Sequence, residues 1–275
     1  NKKKYFCGKF KSNLIVKGYS FTETFSNPNF SSFYVYRNNE EDRVNLKNNK
    51  IQIDGFIENK NSLDEKLYIQ NLKDDDFIES LNEKYIDIER RLLGNYVFSV
   101  FNEDKSSIVL VRDHFGTRPL FYTDNSDYFA YSSEIKFLEC LSDFQATPNI
   151  SRIKFYLCQN RKNSHETFYN EIFSLLPSHK LTFLNNEIKI GRYNHYKKYS
   201  FKGSSIEDAK KELYGALKAS CESKLEQTKS FGVQLSGGID SATVFSILND
   251  LNPGKVKTFS MNFYDEDKQK MACDE

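Results

Sequence analysis

Short runs rich in apolar residues recur at short intervals along the first 198 residues of the chain. Aromatic and β-branched side chains dominate these runs, and Asn, Asp, Gly or Ser separates them, as at Asn185-Asn186. The pattern predicts strands at 33–36, 51–57, 95–101, 108–112, 119–122, 128–132, 180–183 and 187–192, with helices at 75–85 and 133–141. Strands interrupted by a few helices are typical of an α+β domain, in which helices cover a sheet.

The hydrophobic period becomes helical after a linker of mixed polarity at 199–204. Ser205, with Asp208 three residues later, forms a helix-start signature, because the hydroxyl caps the first turn and the acid favours it. We therefore predict a first domain at 1–198 and a second, incomplete domain at 205–275.

The second domain carries the pattern of a βαβ unit. We predict a buried strand at 233–235, a helix at 242–251 and a second strand at 256–261. Such a unit is typical of a parallel sheet in an α/β domain.

Composition places the chain among ordinary globular proteins. Its 275 residues are 39% hydrophobic and 15% aromatic, which is enough for the cores of two domains. The net charge is +1, like charges form no long blocks, and no apolar run approaches membrane-spanning length. These features predict neither a nucleic-acid partner nor a membrane partner.

The cysteines indicate a reducing compartment. They are Cys7, Cys140, Cys158, Cys221 and Cys273, an odd number without C-x-x-C spacing. This arrangement argues against a disulfide framework and against a zinc site. The basic segment 1–4 precedes no apolar core, so we expect no secretory signal and a cytoplasmic protein.

The loop Ser236-Gly237-Gly238-Ile239-Asp240-Ser241 carries the strongest chemical signal in the sequence. Gly237 and Gly238 have no Cβ, so the backbone can turn sharply and approach an anion, and the first N–H groups of the helix add donors. Ser236 and Ser241 add hydroxyls. Because a carboxylate beside phosphates repels them unless a cation lies between, Asp240 predicts a bound Mg²⁺.

A strand-to-helix turn without a ligand is the plain alternative, because Gly-Gly turns are common. The spacing Gly-x4-Gly-Lys-Ser/Thr is absent. The loop instead resembles the Ser-Gly-Gly-x-Asp-Ser loop of the ATP pyrophosphatases, which cleave ATP between its α and β phosphates to adenylate a substrate. The resemblance implies ATP and Mg²⁺ as cofactors, with Asp240 as the Mg²⁺ ligand. It also implies ATP contacts from Leu235, Ser260 and Met261, with Leu235 and Met261 flanking the adenine.

Four segments of the first domain resemble, in order, the class II glutaminase domain of the asparagine synthetases. They are 54–59, 112–122, 132–138 and a closing hairpin within 167–193, of which 112–122 has the family's Arg-Asp-x-x-Gly-x-x-Pro-Leu pattern. The resemblance implies an α+β Ntn-hydrolase-like sandwich. It also implies that the start of an α/β parallel-sheet domain, of the adenine nucleotide α-hydrolase-like type, follows.

The departures from that family concern glutamine hydrolysis. A class II glutaminase uses a Cys at the mature amino terminus, whose thiol attacks the amide while the free α-amine takes the proton. Here Asn1 comes first, so Cys7 would be catalytic only after removal of six residues. Only 46 residues separate Cys7 from Asp54, and the family's Arg-Gly-Pro-Asp and His-Arg-Arg-Leu segments are absent from them. Asp54 replaces an Asn, and a carboxylate cannot donate to an oxyanion. We therefore expect a lost glutamine pocket and a buried, structural Cys7.

Other polar residues have structural interpretations. The histidines, which are His114, His165, His179 and His195, lie in separate segments without an acidic partner at ligand spacing, so we expect each to be structural or exposed. Arg112 and Asp113 match the family motif, yet they lie in a strand-turn segment and are expected to brace it. We expect 74–76 to cap a helix and 265–267 to form a solvated loop rather than a cation site.

A glutaminase-like domain without its glutamine machinery, joined to an adenylating domain, resembles the β-lactam synthetases and the lasso-peptide cyclases. The resemblance implies that a carboxylate is adenylated and that an amine of the same substrate attacks it, with release of AMP and pyrophosphate. A lasso-type peptide macrocyclase fits best, with a precursor peptide and companion processing proteins as partners. A glutamine-hydrolysing asparagine synthetase and a truncated pseudoenzyme or binding subunit are the alternatives.

Overall fold

The computed structural model describes residues 4–5, 19–27, 30–37, 51–57, 88–102, 107–125, 128–139, 141, 144–159, 165–195, 205–225 and 230–261. Two compact units make up the chain, Asn1–Tyr196 and Lys197–Glu275. The predicted linker at 199–204 and the predicted helix at 75–85 lie outside the described residues, as do the acidic segments 74–76 and 265–267.

The first unit is rich in strands. Its elements are β1 (Lys4–Tyr5), β2 (Tyr19–Asn27), β3 (Phe30–Arg37), β4 (Ile51–Ile57), α1 (Ile88–Arg91), β5 (Gly94–Asn102), β6 (Ser107–Arg112), β7 (Phe121–Asp124), β8 (Tyr128–Ser132), α2 (Ile135–Leu138), α3 (Ile150–Gln159), β9 (Phe173–Ser174), β10 (His179–Leu184) and β11 (Glu187–Arg192). β2 and β3 form a hairpin, and the other strands form two larger sheets. One is antiparallel in the order β11-β10-β6-β5-β4, and the other has the order β1-β8-β7-β9, in which β1 pairs parallel to β8.

The core of the first unit lies between these two sheets. Leu110 and Phe183 of the antiparallel sheet share a buried cluster with Tyr122 and Phe129 of the other sheet. The rings of Phe129 and Phe183 stack with their centroids 4.6 Å apart. A second cluster, which includes Ala130 and Leu138, covers the outer face of the smaller sheet with α2. The α+β sandwich predicted for the first domain is therefore confirmed.

Most predicted strands of the first unit are confirmed within a residue or two, and those at 51–57, 128–132 and 187–192 have the predicted bounds. The turn between β10 and β11 consists of Asn185 and Asn186, both with positive φ (51° and 66°), as a tight hairpin requires.

Several boundaries in the first unit were predicted wrongly, among them the start of the strand predicted at 33–36, which begins at Phe30. The strand predicted at 119–122 begins only at Phe121, since Pro119 has no N–H and closes the preceding loop. The helix predicted at 133–141 is limited to Ile135–Leu138. Glu134 is still extended, and the N–H of Leu141 bonds the carbonyl of Leu138 in a tighter turn.

The second unit contains α4 (Ile206–Leu225), β12 (Gly232–Gln234), α5 (Ile239–Leu251) and β13 (Lys257–Phe259). β12 and β13 pair in parallel, so the predicted βαβ unit is confirmed. The predicted cap is confirmed as well, because the Asp208 N–H donates to Ser205 Oγ at 3.1 Å.

The strand predicted as buried at 233–235 has only one buried residue, Val233. Gly232 and Gln234 alternate onto the other face of the strand, where they are exposed. The following helix begins three residues earlier than predicted, so Asp240 and Ser241 belong to its first turn.

Candidate functional site

The Ser-Gly-Gly loop lies where the two parallel strands of the second unit end. The Leu235 N–H donates to the Phe259 carbonyl at 2.8 Å and extends the β12–β13 pairing by one residue. Gly237 has a φ of +84°, a conformation that favours glycine, and Gly238 is extended (φ −81°, ψ 154°) immediately before α5. The chain therefore reverses within the loop and presents the amino end of a 13-residue helix at the carboxyl ends of the strands.

Hydroxyl groups hold this loop together. Ser241 Oγ accepts from the Ser236 N–H at 3.3 Å and donates to the Gly238 carbonyl at 3.0 Å. The two serine hydroxyls lie 3.2 Å apart, and the Gly238 N–H points to Ser236 Oγ at 3.4 Å. These groups are solvent-accessible to differing degrees, and no side chain caps the helix. An anion at this position would meet backbone N–H groups, two hydroxyls and the positive end of the helix.

Asp240 lies in the first turn of α5, and its side chain is exposed. In the described part of the chain, no three His, Cys, Asp or Glu side chains converge as a metal-binding group. Mg²⁺ at nucleotide sites is usually bound by one or two carboxylates together with phosphate oxygens and water. A single carboxylate beside a phosphate-binding loop fits this mode of binding. The donor set therefore suits a metal–nucleotide complex better than a free metal ion.

The remaining residues predicted to contact ATP differ in their exposure and in their distance along the chain from the ends of β12 and β13. Leu235 is half-buried at the end of β12, and Ser260 is exposed directly after β13, at the same edge of the two strands. Met261 follows and is 63% exposed. The structure thus brings Leu235, Ser260 and the loop to one edge of this two-stranded sheet.

In the first unit, the motif residues Arg112 and Asp113 brace a loop, as predicted. The Asp113 carboxylate is fully buried and accepts from the N–H groups of Phe115, Thr117 and Arg118 and from the Thr117 hydroxyl, at 2.8–3.3 Å. Arg112 donates to the carbonyls of Gly116, Arg118 and Leu175. Burial lowers the pKa of Arg112, an effect that neighbouring Asp113 opposes. Asp113 therefore binds N–H groups of the loop 113–118, and Arg112 binds carbonyl groups of the same loop.

Asp54 is the residue at which the sequence resemblance implies an asparagine in the family. It lies on β4, opposite Val97 of β5, and its Oδ1 is 3.7 Å from Arg118 Nη1. Gly55 follows with a φ of +107°, packed against the Asn95 carbonyl. The Asp54 side chain thus lies beside the Arg118 cation, and an ionised carboxylate only accepts hydrogen bonds.

Sequence reasoning missed a buried polar cluster under α1. Glu89 is 2% exposed, its Oε1 is 3.2 Å from Lys180 Nζ, and its Oε2 accepts no hydrogen bond from the described residues. Arg90 donates to the Tyr193 carbonyl, and the Tyr193 hydroxyl donates to the Arg112 carbonyl at 2.7 Å. Burial raises the pKa of Tyr193, and nearby Tyr96 adds to that effect. No local signal in the sequence links Glu89 to Lys180, because these two residues are 91 positions apart.

The histidines match their structural interpretation within the described residues. His114 packs edge-on against Tyr193, and burial lowers its pKa despite the opposing charge of Asp113. His179 Nδ1 lies 2.8 Å from the Pro177 carbonyl, while His165 and His195 are exposed.

Cys7 lies outside the described residues, so its predicted burial stays a prediction. Within the described residues, no helix has both the length and the apolar character needed to cross a bilayer.

Two family models match this chain in sequence order. Residues 47–194 match the glutamine amidotransferase domain, and residues 212–273 match asparagine synthase. The first match contains the Asp54 strand and the braced loop 113–118. The second contains the Ser-Gly-Gly loop.

This chain is similar to the following named relatives and solved structure. A protein of Methanocaldococcus jannaschii provisionally named glutamine-hydrolysing asparagine synthetase 2 is 28% identical over 246 residues, covering 84% of this chain and 46% of the relative. The glutamine-hydrolysing asparagine synthetase 1 of Bacillus subtilis is 27% identical, covering 77% of this chain and 34% of the relative. Glutamine phosphoribosylpyrophosphate amidotransferase of B. subtilis, solved with ADP and GMP, aligns with a TM-score of 0.35 at 13% identity, over 78% of this chain and 46% of that one. The chain thus spans less than half the length of these relatives.

Proposed function

We propose that this chain takes part in the ATP-dependent formation of a carbon–nitrogen bond. The reason is that the chain belongs to the asparagine synthetase family. The observation that carries the proposal is the Ser-Gly-Gly loop, which opens α5 at the carboxyl ends of two parallel strands. In such sheets the carboxyl ends of the strands are where ligands bind. For the first unit we infer the Ntn-hydrolase-like fold, and for the second the adenine nucleotide α-hydrolase-like fold.

The residues of the loop have distinct parts in this reaction. Backbone N–H groups at Gly237, Gly238 and the first turn of α5, with the hydroxyls of Ser236 and Ser241, bind the phosphate oxygens of ATP. They stabilise pyrophosphate as it leaves, when the substrate carboxylate attacks the α-phosphorus and becomes an acyl-adenylate. Asp240 would hold Mg²⁺, which neutralises phosphate charge when bound.

Leu235, Ser260 and Met261 complete the proposed ATP site. Leu235 directly follows β12, and Met261 comes two residues after β13. Both side chains are apolar, so they would flank the adenine. Ser260 contributes a hydroxyl at the same edge. The second step is attack of an amine on the acyl-adenylate, with AMP as the leaving group.

We further propose that the amine comes with the substrate rather than from glutamine. Asp54 has a carboxylate where an oxyanion hole needs a donor, and that carboxylate lies beside Arg118. A substrate with its own amine makes the second step intramolecular, and correct positioning alone then removes several kcal/mol of the barrier. Macrocyclisation of a precursor peptide, with companion processing proteins, is the reaction of this type that we favour.

Purified full-length protein is expected to release no glutamate from glutamine. The physical reason is the lack of a donor at Asp54 and of the glutamine-holding segments expected between Cys7 and Asp54. Glutamate is measured by an enzyme-coupled assay, with the Cys7→Ala variant as the control. Release of glutamate that the Cys7→Ala variant loses would contradict this proposal and favour a glutamine-hydrolysing asparagine synthetase.

A non-catalytic binding subunit is the alternative from another class. It would bind ATP at the same loop without turnover, so formation of AMP and pyrophosphate separates the two hypotheses.

We place the protein in the cytoplasm, since Cys158 and Cys221 are free thiols and the cysteines show no disulfide pattern.

A further inference from the structure

β11 is an edge strand of the five-stranded antiparallel sheet. Its partner is β10, and the structure describes no strand on its other side. The Tyr193 N–H donates to the Ser178 carbonyl at 2.9 Å, and this bond continues the β10–β11 register beyond the end of β11. Because residues that bond one neighbouring strand alternate with residues that bond the other, the odd-numbered residues of β11 bond β10. The backbone N–H and carbonyl groups of Ile188, Ile190 and Arg192 therefore point outwards.

The side chains of this edge suit a partner strand. Ile188, Ile190 and Arg192 lie on one face of β11, since side chains alternate along a strand. Ile188 packs against the core cluster between the two sheets, whereas Ile190 is 47% exposed. Gly191 lies on the other face, where a Cβ would meet no atom within 4 Å. The edge thus combines outward backbone donors and acceptors with an exposed apolar side chain and open space.

We infer that β11 pairs antiparallel with β11 of a second copy of this chain, so that the sheet continues across a twofold axis. Residues that lie opposite each other in such a dimer have side chains on the same face of the sheet. Of the registers within β11, only the one centred on Ile190 gives all three outward residues a hydrogen-bonded partner. Ile190 then meets its own copy, and Ile188 meets Arg192 of the second copy, with two hydrogen bonds in each pair.

Charge favours this register as well. Lys189 lies opposite Gly191 of the second copy, where the missing side chain leaves room for the lysine. A register centred on Lys189 would put the two lysines opposite each other, which is unfavourable, and it would pair fewer outward residues. At the centre, the two exposed Ile190 side chains cover each other. A second copy therefore fits this edge with complementary backbone groups, an apolar centre and no like charges directly opposite.

The contact is small, so the dimer is expected to be weak. A strand of six residues buries less than the roughly 1,200 Å² of a stable interface. We therefore expect dimers to form between about 10 μM and 1 mM protein. The contact involves the first unit and needs neither ATP nor substrate, so its test is independent of the proposed ligase.

The experiment combines sedimentation with amide hydrogen exchange of the full chain, over about 10 μM to 1 mM protein. Labelling with ¹⁵N-isoleucine and ¹⁵N-glycine marks the outward N–H of Ile190 and the N–H of Gly191, which bonds β10. Sedimentation is expected to show dimers at the high concentrations. The Ile190 N–H is expected to exchange roughly tenfold more slowly there, while exchange of the Gly191 N–H changes little.

Two substitutions test whether residue 190 meets its own copy. Ile190→Lys and Ile190→Glu each place like charges opposite each other and are expected to weaken the dimer roughly tenfold or more. An equimolar mixture of the two variants is expected to restore dimers, because opposite charges then face each other. Ile150→Lys, which changes a 56% exposed isoleucine of α3, is the matched control and is expected to leave the dimer unchanged.

The parent protein carries the test even if a variant fails to fold. A parent that stays monomeric at about 1 mM, with rapid exchange of the Ile190 N–H, would overturn the inference. Dimers that both folded charge variants retain, or that their mixture fails to restore, would also overturn it, since residue 190 would then not lie on the twofold axis.

Discussion

Replacing Gly55 with alanine is expected to unfold the first unit or to destabilise it by about 3 kcal/mol or more. A Cβ at this position would lie 2.0 Å from the Asn95 carbonyl oxygen and 3.1 Å from the Tyr96 Cα, both of which are backbone atoms of β5. The φ of +107° adds backbone strain for any L-residue. The clash can be relieved only if β4 moves away from β5 or if the φ of residue 55 changes. Either change would break the strand pairing beside Asp54.

Urea unfolding, followed by far-UV circular dichroism, measures this effect. Gly191→Ala is the matched control, because a Cβ at Gly191 on β11 meets no atom within 4 Å. It is expected to change the free energy of unfolding by less than about 1 kcal/mol. Equal unfolding midpoints for both variants would contradict the packing described for Gly55.

Replacing Asp240 with asparagine is expected to weaken ATP binding about tenfold or more in the presence of Mg²⁺, since the amide keeps the shape and removes the charge that would hold the cation. Binding without Mg²⁺ is expected to change little or to improve, because the carboxylate then only repels phosphate. Calorimetry of the full-length protein with ATP, with and without Mg²⁺, measures both.

Asp250→Asn is the matched control for that variant. It removes the same charge near the other end of α5, where Asp250 accepts a hydrogen bond of 3.4 Å from Tyr214. Its ATP affinity is expected to match that of the parent. The assignment of Asp240 fails if Asp240→Asn retains parental affinity for ATP with Mg²⁺.

Much of the strand content was predictable because it rests on local signals. The Asn185-Asn186 turn fixes the β10–β11 hairpin through two positive φ values, and runs of aromatic and β-branched residues mark β4 and β8. The cap at Ser205 marked the start of α4 in the same way.

The helix α3 was missed although a local signal exists. Asn149 Oδ1 accepts from the Arg152 N–H at 3.0 Å, which is an N-cap directly after Pro148. Its pattern misled because Arg152 is buried while Ile150 and Leu157 are exposed, at 56% and 76%. The usual rule that apolar residues mark the buried face fails for this helix.

The candidate sites also differ in whether their residues are close together in the sequence. The Ser-Gly-Gly loop was predictable, since all its groups lie within six consecutive residues. The pairs Asp54–Arg118 and Glu89–Lys180 were not, because strand pairing brings together residues that are far apart in the chain. The role of Arg112 and Asp113 as braces was predictable because the loop they hold is local.

The most direct test of the proposed ligase is the release of AMP and pyrophosphate from ATP by the full-length protein. The reaction is run once with aspartate plus ammonia and once with a candidate precursor peptide that carries a free α-amine and a side-chain carboxylate. We predict AMP and pyrophosphate in equal amounts, with the peptide only, and a loss of one water from the peptide mass. Turnover with aspartate and ammonia but none with the peptide would contradict this account and leave asparagine synthesis in its place.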